Sequence, residues 1–326
     1  MVKRWVILAV GMACGGGLYD SSAFAQEYAS RPLRLIVPYT AGGVYDPLMR
    51  AGATALQRQL GQPVIVENRT GGDLVVGAQA VTHAPADGYS MFAAGPSVTT
   101  WPVFNRESPV DLVRDFDPVI KLLDVTGTAI IVSGEVPANN LREFIKYARD
   151  NPGKLNYGHA SRALMLATES FKHAAGVDMV AVPYKGIADV MNAILGNNIQ
   201  VVLNSPETFL PHMKTGKVKL LAILAKERMA SFPSVPTAEE EGLKGLAYST
   251  WLGILVAKGT PKSIIARLNK EWTSAIKSDE FLAVYTKVFH GDARLAPGTP
   301  EEFGRFLDEE LRRWADIARY AKIQPD

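Results

Sequence analysis

The segment Val37-Pro38-Tyr39-Thr40-Ala41-Gly42-Gly43-Val44-Tyr45-Asp46 closes an apolar run and leads into a stretch of helical period. Paired glycines in a strand-to-helix loop let backbone N–H groups converge beside a helix N-terminus, where unpaired donors and the helix dipole favour an anion. A carboxylate is a natural guest. A tight turn that needs glycine for its dihedrals accounts for the same residues, and the sequence alone weighs the two readings equally. Asp46 is ambiguous in the same way. As an N-cap it satisfies helix N–H groups, worth about 1 kcal/mol, while a bound anion close by would be repelled. Both can hold only with water or a ligand donor group between them.

Other chemistries lack their residues. GxSxG, HExxH and a GxGxxG after a strand are all missing. Gly72 to Gly77 begins like a P-loop, but Ala78-Gln79 stands where Lys-Ser/Thr would grip phosphate. His83, His159, His173, His212 and His290 have neither HxH nor HxxxH spacing, and each reads as a surface or structural histidine. The one cysteine, Cys14, excludes internal disulfides, CxxC redox chemistry, cysteine zinc sites and Fe–S clusters. No metal, cofactor or catalytic residue is expected. A cofactor-free hydrolase would have to use Ser161 with His159. The 35 basic and 33 acidic residues leave a formal charge of +2 without a block of five like charges, so no nucleic-acid partner is expected.

The elements that position these residues follow from periodicity. Apolar runs at Leu33–Tyr39, Pro63–Glu67, Ser90–Ala94, Thr128–Ser133, Met179–Pro183, Gln200–Leu203, Val218–Leu224 and Thr250–Ala257 read as strands alternating with helices. That is the pattern of a mainly parallel sheet covered by helices, an α/β fold. Pro47–Leu60 carries an apolar face, with Asp46 as its N-cap and Gly61 as its stop. Leu141–Arg149 is a helix ended by Asn151-Pro152-Gly153, and Thr260-Pro261 opens another with Ile265, Leu268, Trp272 and Ile276 on one face. Thr299-Pro300-Glu301-Glu302 is a capping box before a stripe of Phe303, Leu307, Leu311, Trp314, Ala318 and Ala321. At 326 residues the chain has room for two domains. Extended crossings near Leu123–Thr128 and Leu246–Thr250 would divide it into lobe I, residues 26–125 plus 247–326, and lobe II, residues 126–246. Two crossings make a hinge beside a cleft.

At the N-terminus, Lys3 and Arg4 precede an apolar run from Trp5 to Leu18 and the small-residue exit Ala23-Phe24-Ala25. Residues 1–25 read as a secretory signal peptide, and the run is shorter than the roughly 20 residues a membrane span needs. The mature chain from Gln26 would then lose Cys14 and work in the periplasm.

A family resemblance rests on RPLRLIVPYTAGGVYD from Arg31 to Asp46, LGQPVIVENRTGG from Leu60 to Gly72, APADGYS from Ala84 to Ser90 and DLVRDFDPV from Asp111 to Val119. It continues through NPGKLNY from Asn151 to Tyr157, VPYKG from Val182 to Gly186, FPSVPTAEEEGL from Phe232 to Leu243 and WLGILVAKGTP from Trp251 to Pro261. In this order the segments resemble the extracytoplasmic solute receptors of the tripartite tricarboxylate transporter system, the Bug family. The resemblance implies a periplasmic binding protein of type II, two α/β lobes joined by two crossing strands. Such a monomer closes on a small carboxylate without catalysis and delivers it to a permease of one large and one small subunit. A sensor component that presents its ligand to a membrane kinase would share the fold and differ only in partner.

The resemblance also places the site. The first carboxylate-binding loop falls on Tyr39, Thr40, Ala41, Gly42, Gly43, Tyr45 and Asp46, with Tyr39 where the family usually has Phe. The second follows Tyr157 and covers Ala160, Ser161 and Arg162. It is shorter than the family pattern, lacks its inner glycines, and has Met165 where histidine is common. Arg162 reads either as a solvated surface arginine or as the partner of a second carboxylate through a planar fork. Ser97 and Trp101 lie near the family's cleft, and Trp101 with Tyr39 and Tyr45 reads either as packing or as an aromatic wall for a ring-bearing acid. Tyr184, Lys185 and Gly186 precede another cleft-facing helix, and Asn204-Ser205 resemble the family's polar pair. Trp251 is expected to pack at the hinge.

Overall fold

The computed structural model describes residues 28–323 except 106, 126, 245, 247 and 249. The expected signal peptide, its cleavage after Ala25, and Cys14 lie outside the described residues. In β1 (Leu33–Val37), Leu33, Leu35 and Val37 fall on one face and Ile36 on the other, as a two-residue period demands, and all four are fully buried. A strand buried on both faces needs helices on both sides. The chain continues through α1 (Tyr45–Leu60), β2 (Val64–Asn68), α2 (Val75–Thr82), β3 (Ser90–Ala94), α3 (Ser97–Phe104), the single turn α4 (Leu112–Asp115) and β4 (Phe116–Val125). Gly61 ends α1 in the left-handed conformation with φ 66°.

A second unit follows: β5 (Ala129–Ser133), α5 (Leu141–Asp150), β6 (Asn156–His159), α6 (Arg162–Ala175), β7 (Val180–Pro183), α7 (Ile187–Leu195) and β8 (Val201–Asn204). A 3-10 turn (Pro206–Phe209), α8 (Leu210–Met213) and β9 (Val218–Ile223) complete it. The chain then returns as β10 (Thr250–Ala257), α9 (Lys262–Ala275), α10 (Asp279–Phe289), β11 (Ala293–Leu295) and α11 (Pro300–Tyr320). One sheet has the order β11-β4-β10-β3-β1-β2, the other β7-β6-β8-β5-β9.

Both sheets are mixed, which corrects the mainly parallel expectation. β1 with β2 and β3, and β6 with β7 and β8, pair in parallel. β10 runs against β3 and β4, β11 against β4, and β5 against β8 and β9. β5 and β10 enter their sheets from the other unit rather than through a helical crossover, which parallel neighbours require. Strand β4 is also unanticipated. Pro118 interrupts its apolar run, yet the register slips at Pro118's partner on β10 and so accommodates the missing donor. Lys121 and Asp124 pair with each other at 2.9 Å.

The two passages between units lie side by side. The Leu224 N–H donates to the Thr128 carbonyl at 2.8 Å, and the Tyr248 N–H to the Leu224 carbonyl at 2.9 Å. Trp251, just beyond, is fully buried edge-on against Phe303 and Phe306. The capping box of α11 forms as expected at Thr299 and Glu302. Along α11, Phe303 and Leu307 join the core of the first sheet, whereas Trp314, Ile317 and Ala318 join that of the second. The helix thus straps both units, although the expected boundary assigns all of 247–326 to lobe I.

Candidate functional site

Asp46 lies inside the first turn of α1, and the N-cap position belongs to Val44, which makes no side-chain cap. This corrects the capping expectation. The Asp46 carboxylate instead accepts from the Gly42 N–H at 2.9 Å, the Asn68 amide at 2.8 Å and Arg50 Nε at 3.1 Å. Asn68 also donates to the Tyr39 carbonyl at 3.0 Å. Burial opposes the charge, but the Gly42 N–H, the Asn68 amide and the Arg50 guanidinium together hold the carboxyl below its usual value. Gly43 N–H bonds the Thr40 carbonyl at 3.0 Å. Both glycine amides are therefore engaged within the loop and do not form the anion cradle that their spacing suggested. Gly42 has φ +76°, and a Cβ on Gly43 would stand 3.0 Å from the Thr40 carbonyl oxygen, so the glycines shape the turn.

The loop between β6 and α6 is simpler. Ser161 Oγ caps α6 by accepting the Leu164 N–H at 3.2 Å. Burial lowers the His159 pKa, and among the described residues no hydrogen bond joins His159 to the Ser161 hydroxyl, the pairing a hydrolase needs. The Arg162 guanidinium stacks over Phe104 at 4.7 Å, and its charge acts on Asp73. Asp73 takes the Ser97 hydroxyl at 2.8 Å and, through its carbonyl, the Trp101 indole at 2.9 Å. Burial pushes the Asp73 carboxyl up against the pull of Ser97 and Arg162. Trp101 is 5% exposed and packed in the core, so it is no part of an aromatic wall.

The two loops meet at a cavity of about 400 Å³. Tyr39, Tyr45, Ser97, Ser161, Asn204 and Ser205 line it; Thr40, Ala41, Gly42, Gly43, Asp46, Trp101, Ala160, Arg162, Tyr184, Lys185 and Gly186 stand outside its lining. Thr128, Tyr248 and Thr250 reach it from the passages between sheets, and Glu207, Phe289 and Asp292 also line it. None of these six has a motif around it. Thr128, Tyr248 and Thr250 lie on the expected crossings beside the cleft and Glu207 just after Asn204-Ser205, whereas Phe289 and Asp292 had no signal nearby. Tyr39 and Tyr45 pack with ring centroids 4.9 Å apart, and burial pushes both phenols up. They remain neutral donors at physiological pH. A recess of about 500 Å³ between α6 and α11 touches neither loop.

Four helices begin at this cavity's wall. Tyr45 opens α1, Ser97 opens α3, Ser161 caps α6 and Ile187 opens α7, and all four residues line it. Helix N-termini carry partial positive charge and unpaired N–H groups, which favour an anion. The lining holds no Lys, Arg or His among the described residues. The arrangement suits an oxyanion held by dipoles and neutral donors rather than by a counter-charge. No group of acidic, His or Cys residues with metal-binding geometry occurs among the described residues.

Residues 48–322 match the family described as "Tripartite tricarboxylate transporter family receptor". The BugT protein of Bordetella pertussis is 30% identical over 324 residues, covering 98% of this chain and 97% of that protein. A UPF0065 protein of Cupriavidus necator is 34% identical over 277 residues, 84% of each chain. Among solved structures, an R. palustris protein with adipate superposes with TM-score 0.79 at 30% identity, covering 91% of this chain and 99% of that one. Periplasmic binding protein BugD gives 0.76 at 28%, covering 91% and 99%. MatC of Rhodopseudomonas palustris with malate gives 0.75 at 26%, covering 88% and 99%. With its two mixed sheets, this chain has the type II periplasmic binding fold and belongs to the tripartite tricarboxylate transporter receptor family.

Proposed function

We propose that the protein is a periplasmic receptor that binds a small carboxylate in the cavity between its two sheets and delivers it to the large and small permease subunits of a tripartite transporter. Residues 1–25 are its signal peptide, residues 26–125 plus 247–326 form lobe I, and 126–246 form lobe II. The convergence of four helix N-termini on a cavity without a cationic side chain carries this reading. The adipate and malate held by related receptors support the ligand class. A carboxylate that touches both lobes favours the closed arrangement by its extra contacts, a population shift about the paired passages at Thr128, Leu224 and Tyr248. The protein works as a monomer and needs no cofactor.

The test is a melting-temperature screen of the purified protein against mono-, di- and aromatic carboxylates. At least one acid raises the midpoint in a saturable way. A folded protein whose midpoint no acid moves at millimolar concentration contradicts the reading.

A further inference from the structure

The only formal charges on the described cavity lining are two carboxyl groups, Glu207 and Asp292. They come from different units: Glu207 from the 3-10 turn after β8, Asp292 from the turn between α10 and β11. Each has a hydroxyl partner, Ser205 Oγ on Glu207 and Ser231 Oγ on Asp292, and the Ser231 N–H also reaches Asp292 at 3.4 Å. Burial first, and the facing Asp292 after it, push the Glu207 carboxyl up against the pull of the Ser205 hydroxyl. Two carboxylates on the wall of one cavity raise each other's energy unless a proton or a cation offsets them.

A ligand with a second carboxylate would add a third negative charge to this wall. A ligand with an ammonium group would relieve it. The same cavity is lined by four aromatic rings, Tyr39, Tyr45, Tyr248 and Phe289, whose faces attract organic cations. The helix N-termini remain for the ligand's carboxylate. We propose that the ligand is zwitterionic, an amino-carboxylate whose ammonium is received by Glu207 and Asp292, and that these two side chains set the receptor's specificity. This rests on the carboxylate-receptor reading and narrows it.

The experiment is calorimetric titration of the purified protein with β-alanine, γ-aminobutyrate and δ-aminovalerate against succinate, glutarate and adipate. Each pair exchanges only an ammonium for a second carboxylate. At the chain length that binds best, the amino acid binds at least tenfold tighter than its diacid partner. Glu207→Gln and Asp292→Asn, each verified as folded by its melting curve, both shrink that ratio. A diacid that binds as tightly as its amino acid partner, or a ratio that neither substitution moves, overturns the zwitterion assignment and leaves the carboxylate receptor standing. Binding by neither series overturns the zwitterion assignment, and the carboxylate reading then stands or falls by the melting-temperature screen against mono-, di- and aromatic acids.

Discussion

The loop between β1 and α1 is held from behind by side chains, whereas the loop between β6 and α6 is held by its own helix cap. In the first, Asp46, Asn68 and Arg50 tie the Gly42 N–H and the Tyr39 carbonyl to the end of β2, so the turn is braced by a residue distant in sequence. In the second, one hydroxyl, Ser161 Oγ, satisfies one amide three residues on. A brace built from a buried charge fails as a unit when its centre is removed. A cap contributes a single hydrogen bond whose loss the helix end can partly refill with water.

This difference sets an order of effects. Asp46→Ala strands the Asn68 and Gly42 donors and frees the first loop. It is expected to cost about 2–3 kcal/mol of stability by urea unfolding and at least tenfold in carboxylate affinity. A smaller effect is expected from Gly95→Ala. Its Cβ would stand 2.3 Å from Tyr39 Oη, so the Tyr39 ring must swing off the cavity wall. Because the clashing atom ends a side chain, stability drops only about 1 kcal/mol, while affinity falls several-fold. Ser161→Ala should cost about 1 kcal/mol and leave affinity within a few-fold. Should Ser161→Ala prove as damaging to binding as Asp46→Ala, the brace and the cap are equivalent and the distinction is lost.

The pH dependence separates the loops more finely. The Asp46 carboxyl is held below its usual 3.8, so its contribution is present above that value and is lost as pH falls through the lowered one. The stability gap between wild type and Asp46→Asn, measured by urea unfolding, should therefore be open at neutral pH and narrow in strong acid. The gap for Ser161→Ala, a neutral hydroxyl, should stay constant over the same range. Parallel behaviour of the two variants would mean that Asp46 does not carry the first loop as a charge.

How much of this was legible in the sequence depends on how local the cause is. The left-handed stop at Gly61, the capping box at Thr299 and Glu302, and strand β10 follow from residues a few positions apart, and each formed where expected. Asp46 was misread because a cap and a brace use the same residue type. What distinguishes them is Asn68, 22 residues away in the chain and adjacent only once β1 and β2 pair. Strand β4 was hidden by Pro118 and by charges that pair with each other. Trp101 fitted an aromatic wall by type, but its indole is anchored on Asp73 inside the core. Glu207 and Asp292 had no motif at all, since two carboxyls from separate units become neighbours only through the fold.

The central claim is that four helix N-termini hold a carboxylate in this cavity, and one titration tests it most directly. Calorimetry on the purified protein should compare the acid that raises its melting temperature most with the primary amide of the same acid, which keeps the shape and removes the negative charge. The account predicts saturable one-site binding of the acid and at least a hundredfold weaker binding of the amide. Equal binding of the two would contradict it.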